Sequence, residues 1–444
     1  MKRKSYKKII LATLISLLLI GSAGAVYATQ PYVSEKLILS EETSDVSSSA
    51  VSRDGKTVTL NYDVPPMQQG VYVNPLEFNS TIISGENWDK KTKVKGNMLG
   101  DSGLSQILAF STDGKIAAGY SLSGVKFNKS LLKSMLLHKR QESYIQATIW
   151  SGDNWGKKTD LGTLSKDDTG ISMINTLSAD GKVAAGSSQS EKFSKRATIW
   201  SGNNWATKTD LGTLRSDNSG ISVISSLSAD GKIAAGNADS DLKKTVNDYD
   251  RSSITSQRAV IWSGDNWGGR IDPGSLRSDN LGKTSISALS DDGKIAAGQS
   301  EIEPVITAVY QQAVIWSGEN WATKTRLGSL RSDSLGNSKV VALSADGRIA
   351  AGYSETDSKT IHAIIWSGEN WATKTDLGTF TSDNSGLSMV EALSADGTIA
   401  VGFSSTDAKG QRAVLWKIIY PASSESGSNA PNSAHIQPLM QPTQ

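Results

Sequence analysis

An Asp-Gly pair that recurs at nearly regular intervals is the feature that most restricts the fold of this chain of 444 residues. The cleanest copy of the surrounding unit begins at Ile221, passes through Asp230 and Gly231, and ends at Trp267. A repeat of about 50 residues is typical of a propeller or a solenoid. The seven copies place the aspartate at Asp54, Asp113, Asp180, Asp230, Asp292, Asp346 and Asp396, with spacings of 59, 67, 50, 62, 54 and 50 residues.

Each unit contains four short segments with the composition of β-strands. In the cleanest copy, Ser222–Ser228 is followed by Lys232–Gly236, and the Asp-Gly pair between them suits a two-residue hairpin turn. Arg258–Trp262 is the third segment, and the fourth is of the type Thr209–Leu214. Four strands per unit predict one propeller blade per unit.

The two ends of the repeat array predict how the ring closes. The first unit begins at an inner strand near Ser49–Ser52, whereas the last unit stops after its third strand at Trp416. Lys36–Leu39 is the spare extended segment, and we expect it to pair beside Ala413–Ile418 as the outer strand of the last blade. The predicted fold is therefore all-β: a seven-bladed β-propeller with four-stranded blades, the last one closed by an N-terminal strand. An open solenoid is the alternative.

The N-terminal residues 1–28 have the layout of a secretory signal peptide. Basic residues up to Lys8 precede an apolar core from Ile9 to Ile20, and small residues lead to Ala28, the expected last residue removed. An uncleaved membrane anchor is the alternative. We therefore divide the chain into a signal peptide (1–28), a propeller (29–420) and a disordered Ser/Pro/Gln-rich tail or linker (421–444).

The charge of the chain argues against a nucleic-acid partner. There are 46 basic and 44 acidic residues, but five of the basic residues lie in the leader, which leaves 41 against 44 and a charge of −3. A nucleic-acid-binding domain ordinarily carries a basic excess on one face. We expect no nucleic acid to bind.

All twelve tryptophans belong to the repeat and form two columns. We expect packing between sheets for both columns; the second column, which includes Trp371, lies at a turn, and partial exposure is the alternative there. We expect the first column to be structural and packed between neighbouring sheets, where a large aromatic ring removes much apolar surface from water. The first column consists of Trp150, Trp200, Trp262, Trp316, Trp366 and Trp416.

Length variation is confined to one connection of the unit. Between the second and third strands, the separation from Gly119 to Trp150 is 31 residues, whereas that from Gly186 to Trp200 is 14. In an antiparallel four-stranded blade, this connection opens on the same side as the loop that leads to the next blade. Since variable loops on a rigid ring usually carry binding, we expect the ligand face on this side.

The loops between blades are rich in Asp and Asn and share this side. These residues are turn formers, which explains them without a ligand, and the alternative is a ring of carboxylates and amides that holds a cation or sugar hydroxyls. The candidate ligand-face residues are Asp168, Asp217, Asn218, Asp279, Asn280, Asp333, Asp383 and Asn384, together with Lys133, Lys139 and Arg140 of one insertion.

Two insertions are distinctive. Lys126–Gln141 has Leu132 and Leu136 at helical spacing among basic residues, which predicts an amphipathic helix that either binds a ligand or merely caps the ring. Asp239–Gln257 carries four aspartates but lacks the glycine and glutamate spacing of a calcium loop. We expect it to be a solvated acidic loop.

The chain offers little for catalysis. It has no cysteine, and its three histidines, His138, His362 and His435, lie in unrelated settings. A thiol nucleophile, a serine triad or a histidine metal site therefore has little to build on. The repeats also lack the Ser-x-Asp-x-Gly-x-x-Trp box of sialidase propellers. We expect no enzyme, no cofactor and no metal, and a secreted or periplasmic glycan-acting hydrolase is the alternative.

The repeat resembles the extracellular repeat named for its His-Ala-Phe tripeptide. Its elements here are Thr375-Asp-Leu-Gly-Thr, then Ala395-Asp-Gly-Thr-Ile-Ala-Val-Gly402, with His362-Ala363-Ile364 as the nearest form of the tripeptide. The strand phase is also similar to a WD-repeat blade, but the Gly-His and Trp-Asp signatures are absent. The resemblance covers about residues 90–418 and defines no catalytic residue.

Repeats of this kind are found in exported proteins of Gram-negative bacteria, often as passengers of autotransporters. The resemblance implies a protein that is secreted or attached to the outer membrane. We expect a monomer that binds a glycan or protein of a host or neighbouring cell through the loop-bearing face. No alternating barrel strands follow Tyr420. The chain therefore resembles a passenger with its linker and no translocator, and the alternatives are a truncated product, a fragment, or a protein exported by another route. We expect membrane contact only through the signal peptide or the missing barrel. A structural passenger or spacer is a further alternative.

Overall fold

The computed structural model describes residues 30–40, 46–62, 80–94, 105–122, 145–168, 170–191, 194–244, 254–305, 308–408 and 410–421. Pro31–Tyr420 form one unit by contacts. The predicted signal peptide and, apart from residue 421, the predicted tail lie outside the described residues. No helix within the described ranges is long and apolar enough to cross a membrane.

Seven antiparallel sheets of four strands make up this unit, which confirms the predicted seven-bladed β-propeller. The N-terminal strand is β1 (Tyr32–Ile38). The first three blades are β2 (Val46–Ser47), β3 (Thr57–Tyr62), β4 (Thr81–Ser84) and β5 (Lys90–Lys93); β6 (Ser105–Phe110), β7 (Ala117–Leu122), β8 (Ile145–Ser151) and β9 (Lys157–Asp160); and β10 (Ser172–Leu177), β11 (Ala184–Gln189), β12 (Lys195–Ser201) and β13 (Thr207–Asp210).

The remaining blades repeat this order from the channel outward. They are β14 (Ser222–Leu227), β15 (Ala234–Lys244), β16 (Ile254–Ser263) and β17 (Gly269–Ile271); β18 (Thr284–Leu289), β19 (Ala296–Glu301), β20 (Gln311–Ser317) and β21 (Thr323–Gly328); β22 (Ser338–Leu343), β23 (Ala350–Glu355), β24 (Ile361–Ser367) and β25 (Thr373–Asp376); and β26 (Ser388–Leu393), β27 (Ile399–Ser405) and β28 (Gln411–Ile419). Short 3₁₀ turns at Asp153–Trp155, Asn203–Trp205, Asp265–Trp267, Glu319–Trp321 and Glu369–Trp371 join third to fourth strands.

Strand β1 completes the seventh blade. It pairs antiparallel with β28, and Lys36, Leu37 and Ile38 lie opposite Trp416, Leu415 and Val414. The prediction for Lys36–Leu39 is therefore confirmed, and the open solenoid is wrong. Because the first strand of the chain seals the last blade, the ring has no unpaired edge at this seam.

The blade core consists of small residues in the second strand and large ones in the third. A Cβ on Gly236 would lie 2.0 Å from the carbonyl oxygen of Val223 on the neighbouring inner strand, so this position excludes any side chain. Trp262 is fully buried and packs in one cluster with Ile199 and Leu211 of the preceding blade. All six first-column tryptophans have at most 1% of their surface exposed. They fill the space between sheets.

The Asp-Gly turns share one set of hydrogen bonds. In the fourth blade, Asp230 accepts from the Ser228 hydroxyl at 2.7 Å and from the Lys232 amide at 3.0 Å. Gly231 has a φ of 71°, which favours glycine, and a Cβ added there would lie 3.0 Å from Val183 of the preceding blade. Neighbouring turns are joined by backbone hydrogen bonds that run from Thr112 through Ala179, Ala229, Asp291, Ala345 and Ala395 to Arg53.

These connections define two faces of the ring. We call the side with the Asp-Gly turns and the 3₁₀ turns the turn face. The side with the connections between second and third strands, and with the loops between blades, is the loop face. The alternation of antiparallel strands puts the two connection classes of each face together, as the sequence predicted.

Two sequence expectations need correction. The fourth strand ends at Asp210 rather than at Leu214, because the Leu211 amide already bonds to the Ala197 carbonyl and residues 211–214 turn toward the next blade. Asp239–Gln257 is not simply a loop, because β15 and β16 extend through it as a hairpin in which Lys244 lies opposite Ile254. Residues 245–253 are outside the described part.

Candidate functional site

The loop face is built from a repeated turn between blades. Asp168, Asn218, Asn280 and Asn384 adopt left-handed backbone angles, with φ between 53° and 56°. Each side chain turns back to accept from a backbone amide five residues earlier; the Asn218 Oδ1, for example, accepts from Thr213 at 2.9 Å. Asn and Asp adopt such turns readily because their short polar side chains bond to nearby backbone. These four candidates therefore shape the turn.

A second group of candidates consists of the aspartates that come one residue before the left-handed residue of the turn. Asp217 accepts from Arg215 at 3.0 Å and from the amide of Ser219 at 2.9 Å, and Asp333 accepts from Arg331 at 2.6 Å. Asp279 accepts from the Leu281 amide at 2.8 Å, and Asp383 from the Ser385 amide at 3.0 Å. Each carboxylate thus has hydrogen-bond partners within its own loop.

The pKa values of these carboxylates are lowered, as expected for groups that accept these hydrogen bonds. The Arg215 guanidinium, which bonds to the carboxylate, holds the pKa of Asp217 below its ordinary value, and Arg331 does the same for Asp333. The Ser385 amide lowers the pKa of Asp383. A catalytic acid at neutral pH needs a raised pKa, so these carboxylates are poor general acids.

A second set of acids, which sequence reasoning missed, ties the two connection classes together. The Ser216 amide donates to Asp241 at 2.7 Å, and the Ser278 amide donates to Glu303 at 2.6 Å. The acid lies 25 residues after the serine in each case, and the same spacing joins Ser332 to Asp357 and Ser382 to Asp407. The constant separation of 25 residues between serine and acid is the sequence signal that could have revealed these bonds. Each acid links the loop between two blades to the connection between the second and third strands of the next blade.

Beneath the loop face lies the column that contains the His-Ala-Phe-like tripeptide. Arg258 is fully buried and bonds to Asp272 at 2.8 Å, and Arg196 bonds to Asp210 at 3.1 Å. His362 takes the same position, with its Nδ1 2.9 Å from Asp376. In the fifth blade the pair is reversed, since Gln312 accepts from Arg326 at 2.5 Å. The tripeptide position therefore joins the third strand to the fourth.

The candidate face as a whole is a rigid polar platform. The described Asp and Asn candidates lie on the same face, one set per blade junction, and each set is held by its own turn. Within the described ranges there is no group of three or more His, Asp or Glu side chains placed to hold a metal ion. Lys133, Lys139 and Arg140, and with them the predicted helix in Lys126–Gln141, lie outside the described residues.

Comparisons with known proteins add similarity of shape only. No protein-family model matches the chain, and no curated protein matches it in sequence. TolB from Acinetobacter baumannii is similar to it at 13% identity over 86% of this chain and 68% of that one, with a TM-score of 0.39. The RRP9 WD40 repeats are similar at 10% identity over 88% and 99%, with a TM-score of 0.46.

A third similar structure is the periplasmic gluconolactonase PpgL of Pseudomonas aeruginosa, at 10% identity over 84% of this chain and 96% of that one, with a TM-score of 0.35. At these identities and TM-scores the similarities do not inform function. The class of this protein, a seven-bladed β-propeller, follows from its own sheets.

Proposed function

We propose that this chain is an exported, non-enzymatic β-propeller that binds a glycan or protein ligand on its loop face. It would act at the surface of, or be secreted by, a Gram-negative bacterium, in adhesion to a host or neighbouring cell. The leader sequence supports export, and the His-Ala-Phe-like repeat supports a passenger of the autotransporter kind. We expect it to act as a monomer.

One observation carries the proposal: the connections that vary in length rise from one face of a ring whose other parts are constant. Gly119 to Trp150 spans 31 residues and Gly236 to Trp262 spans 26, against 14 in the third blade. In the fourth blade the base of this connection is held in place, because Asp241 accepts from the Ser216 amide. A rigid base with variable extensions suits recognition.

The experiment shortens both extensions and leaves the base intact. Residues 126–141 are replaced by a short Gly-Ser linker, and residues 245–253 by Asn-Gly, a turn that suits the hairpin of β15 and β16. Asp239 and Asp241 are kept because they bond to the loop before β14. As a control, the 3₁₀ turn at Asp265–Trp267 on the opposite face receives two added glycines before Asp265.

Binding to a glycan array and to intact epithelial and bacterial cells is then measured beside the melting temperature. We expect the shortened variant to melt like the parent and to lose binding at least tenfold, while the turn-face control binds normally. Unchanged binding by the shortened variant would reject the extensions as the binding part, and absence of binding by the parent would favour a spacer. Turnover of any glycan by the parent would instead favour the hydrolase.

A further inference from the structure

From the second blade to the fifth, the side chain before the buried alanine of the third strand donates to the loop that leads to the next blade. The acceptor is the carbonyl of the left-handed turn residue, or of the glycine two residues after it. The Arg196 Nη1, for example, donates to the Asn218 carbonyl at 2.9 Å. We call these side chains the tie residues. They are Gln146, Arg196, Arg258 and Gln312, and they donate to Asp168, Asn218, Gly282 and Ser334.

The sixth blade has His362 at this position, and there the bond to the loop is missing. The ring is buried, and its Nδ1 lies 2.9 Å from Asp376 of the fourth strand. The Nε2 on the other side of the ring is also buried, but it has no hydrogen-bond partner. In the other blades the acceptor lies 22 or 24 residues after the tie residue. The equivalent acceptors for His362 are therefore the carbonyls of Asn384 and Gly386.

The chemistry of a neutral imidazole explains why this bond is missing. The carboxylate beside Nδ1 selects the tautomer with its proton on Nδ1, which leaves a lone pair on Nε2. A carbonyl oxygen only accepts, so the neutral ring cannot bond to the loop. A second proton makes Nε2 a donor, as the nitrogens of the other tie residues are. Arginine and glutamine donate whatever the pH, whereas an imidazole ordinarily gains its second proton roughly between pH 5 and 8.

Among the described residues, Asp376 is the charged group that contacts the His362 ring. On the second strand the residue opposite His362 is the neutral Ser354. The other charged groups on the elements around the ring each have a hydrogen-bond partner of their own. They are Glu355 of β23, Lys374 of β25, Asp383 of the loop and Lys36 of β1, which bond to Arg331, Ser329, Ser385 and Thr379.

We propose that His362 is a pH-sensitive tie between the sixth blade and the loop that leads to the seventh. With two protons, the ring donates from Nδ1 to Asp376 and from Nε2 to the carbonyl of Asn384 or Gly386, directly or through one bridging water. With one proton the second bond is lost, and the loop keeps its own turn and the bond from Ser382 to Asp407.

The tie acts on the proposed ligand face, because Asp383 and Asn384 lie in the loop that it holds. A mildly acidic medium holds this part of the loop face more firmly than a neutral one. The effect on ligand binding rests on the proposed function, whereas the tie itself does not.

The test compares the full mature chain with two variants at pH 8 and at pH 5.5. His362→Arg installs the side chain that bonds to both Asp210 and the Asn218 carbonyl in the third blade, so it donates at both pH values. His362→Gln installs the neutral donor of the second and fifth blades, and it replaces the arginine variant if that one does not fold. Amide exchange of residues 381–387 is measured by mass spectrometry, and residues 215–221, which Arg196 ties, are the control loop.

The bond from Nε2 exists only in the protonated folded state, so its stabilisation is present at the acidic end and disappears as the pH rises. At pH 8 we expect residues 381–387 of the parent to exchange at least threefold faster than those of His362→Arg, and at pH 5.5 we expect equal exchange. The control loop should not differ at either pH. Equal exchange of residues 381–387 at both pH values, or a difference that persists at pH 5.5, would overturn the proposal.

A spectroscopic measurement reports the ring directly. Long-range ¹H–¹⁵N spectra of the histidine-labelled parent show which ring nitrogens carry protons, and the signal absent from His362→Gln belongs to His362. We expect a proton on Nδ1 alone at pH 8 and on both nitrogens at pH 5.5; the same protonation at both pH values would also overturn the proposal. None of these measurements uses a ligand, so their failure and a failure of the loop-face binding experiment are distinguishable.

Discussion

At the scale of single residues, the second tryptophan column shows how a strained backbone is held in place. Trp205 and Trp267 have φ values of 53° and 56°, a conformation that bulky residues seldom adopt. The indole of each donates to the carbonyl of the Asp-Gly glycine in its own blade, at 2.9 Å for Trp205 and 3.0 Å for Trp267. The seventh blade has no such tryptophan, and the Tyr420 hydroxyl donates to Gly397 at 3.0 Å instead. Tyr420 therefore makes, in the seventh blade, the hydrogen bond that the second-column tryptophan makes in the other blades.

The first column makes a prediction about stability. Trp366→Ala should lower the free energy of unfolding by about 3–5 kcal/mol, because it empties a fully buried site between two sheets. Chemical denaturation followed by far-ultraviolet circular dichroism measures this cost. An unchanged midpoint would contradict a core role.

A milder pair of substitutions serves as the control for that measurement. The Trp262 indole donates to the Leu211 carbonyl at 3.1 Å, whereas the buried Trp366 Nε1 has no partner. Trp262→Phe should therefore cost about 0.5–1.5 kcal/mol more than Trp366→Phe.

The turn aspartates predict a pH dependence. The Lys232 amide, together with the Ser228 hydroxyl, holds the pKa of Asp230 below its ordinary value. A carboxylate with a lowered folded pKa stabilises fully above its unfolded pKa of about 4, and this contribution disappears as the pH falls through the folded value. Asp230→Asn should melt below the parent at pH 7 and lose less stability on acidification to pH 3. Parallel melting curves against pH would contradict this, and Asp180→Asn, with its equivalent Lys182 amide, should behave in the same way.

At the scale of elements, β1 reproduces the outer strand of the other blades. The Lys36 ammonium donates to the Thr379 carbonyl at 3.1 Å, as Lys374 does to Ser329 at 2.7 Å one blade earlier. The amide of Leu39 bonds to Ala413 at 2.9 Å, as the Leu377 amide bonds to Ala363 in the sixth blade. The sequence therefore contains a Lys-x-x-Leu pattern that marks an outer strand in both places.

This equivalence predicts that the seam is a stabilising element. Leu39 is buried against the first blade and β28, so Leu39→Ala should cost about 2–5 kcal/mol and speed amide exchange along β28. Ile38 is 53% exposed on the same strand, and Ile38→Ala is the control, with an expected change within about 0.5 kcal/mol. Hydrogen exchange by mass spectrometry measures both variants. Similar exchange of β28 in both would argue against the seam.

At the scale of the whole molecule, backbone hydrogen bonds between neighbouring blades and one long-range ion pair connect the blades on the turn face. Local backbone bonds such as the one from Ala229 to Asp291 join neighbouring blades at 2.8 Å. Arg53 and Asp291 lie 238 residues apart in the chain and join the first blade to the fifth. Both side chains are about one-third exposed, so water screens the ion pair.

A charge exchange tests this long-range link. Arg53→Asp should lower the melting temperature, because it places two carboxylates together at the mouth, and adding Asp291→Arg should restore most of the loss. A double-mutant cycle should give a coupling energy of up to about 1 kcal/mol. Asp265→Arg, an exposed acid on the same face, should give no rescue. Additive effects of the Arg53 and Asp291 substitutions would show that the bridge does not form in solution.

The sequence by itself determined the number of blades, the four strands in each, the closing strand and the side on which insertions gather. This was possible because hairpin turns, strand alternation and repeat length depend on neighbouring residues and recur in every unit, as the Asp-Gly turn at Asp230 and Gly231 does. Only the tertiary structure showed which residues far apart in the sequence bond to each other. Asp241 accepts a hydrogen bond from the loop before β14, and Arg53 pairs with Asp291. It also showed that Asn218 and Asp217 bond within their own loop.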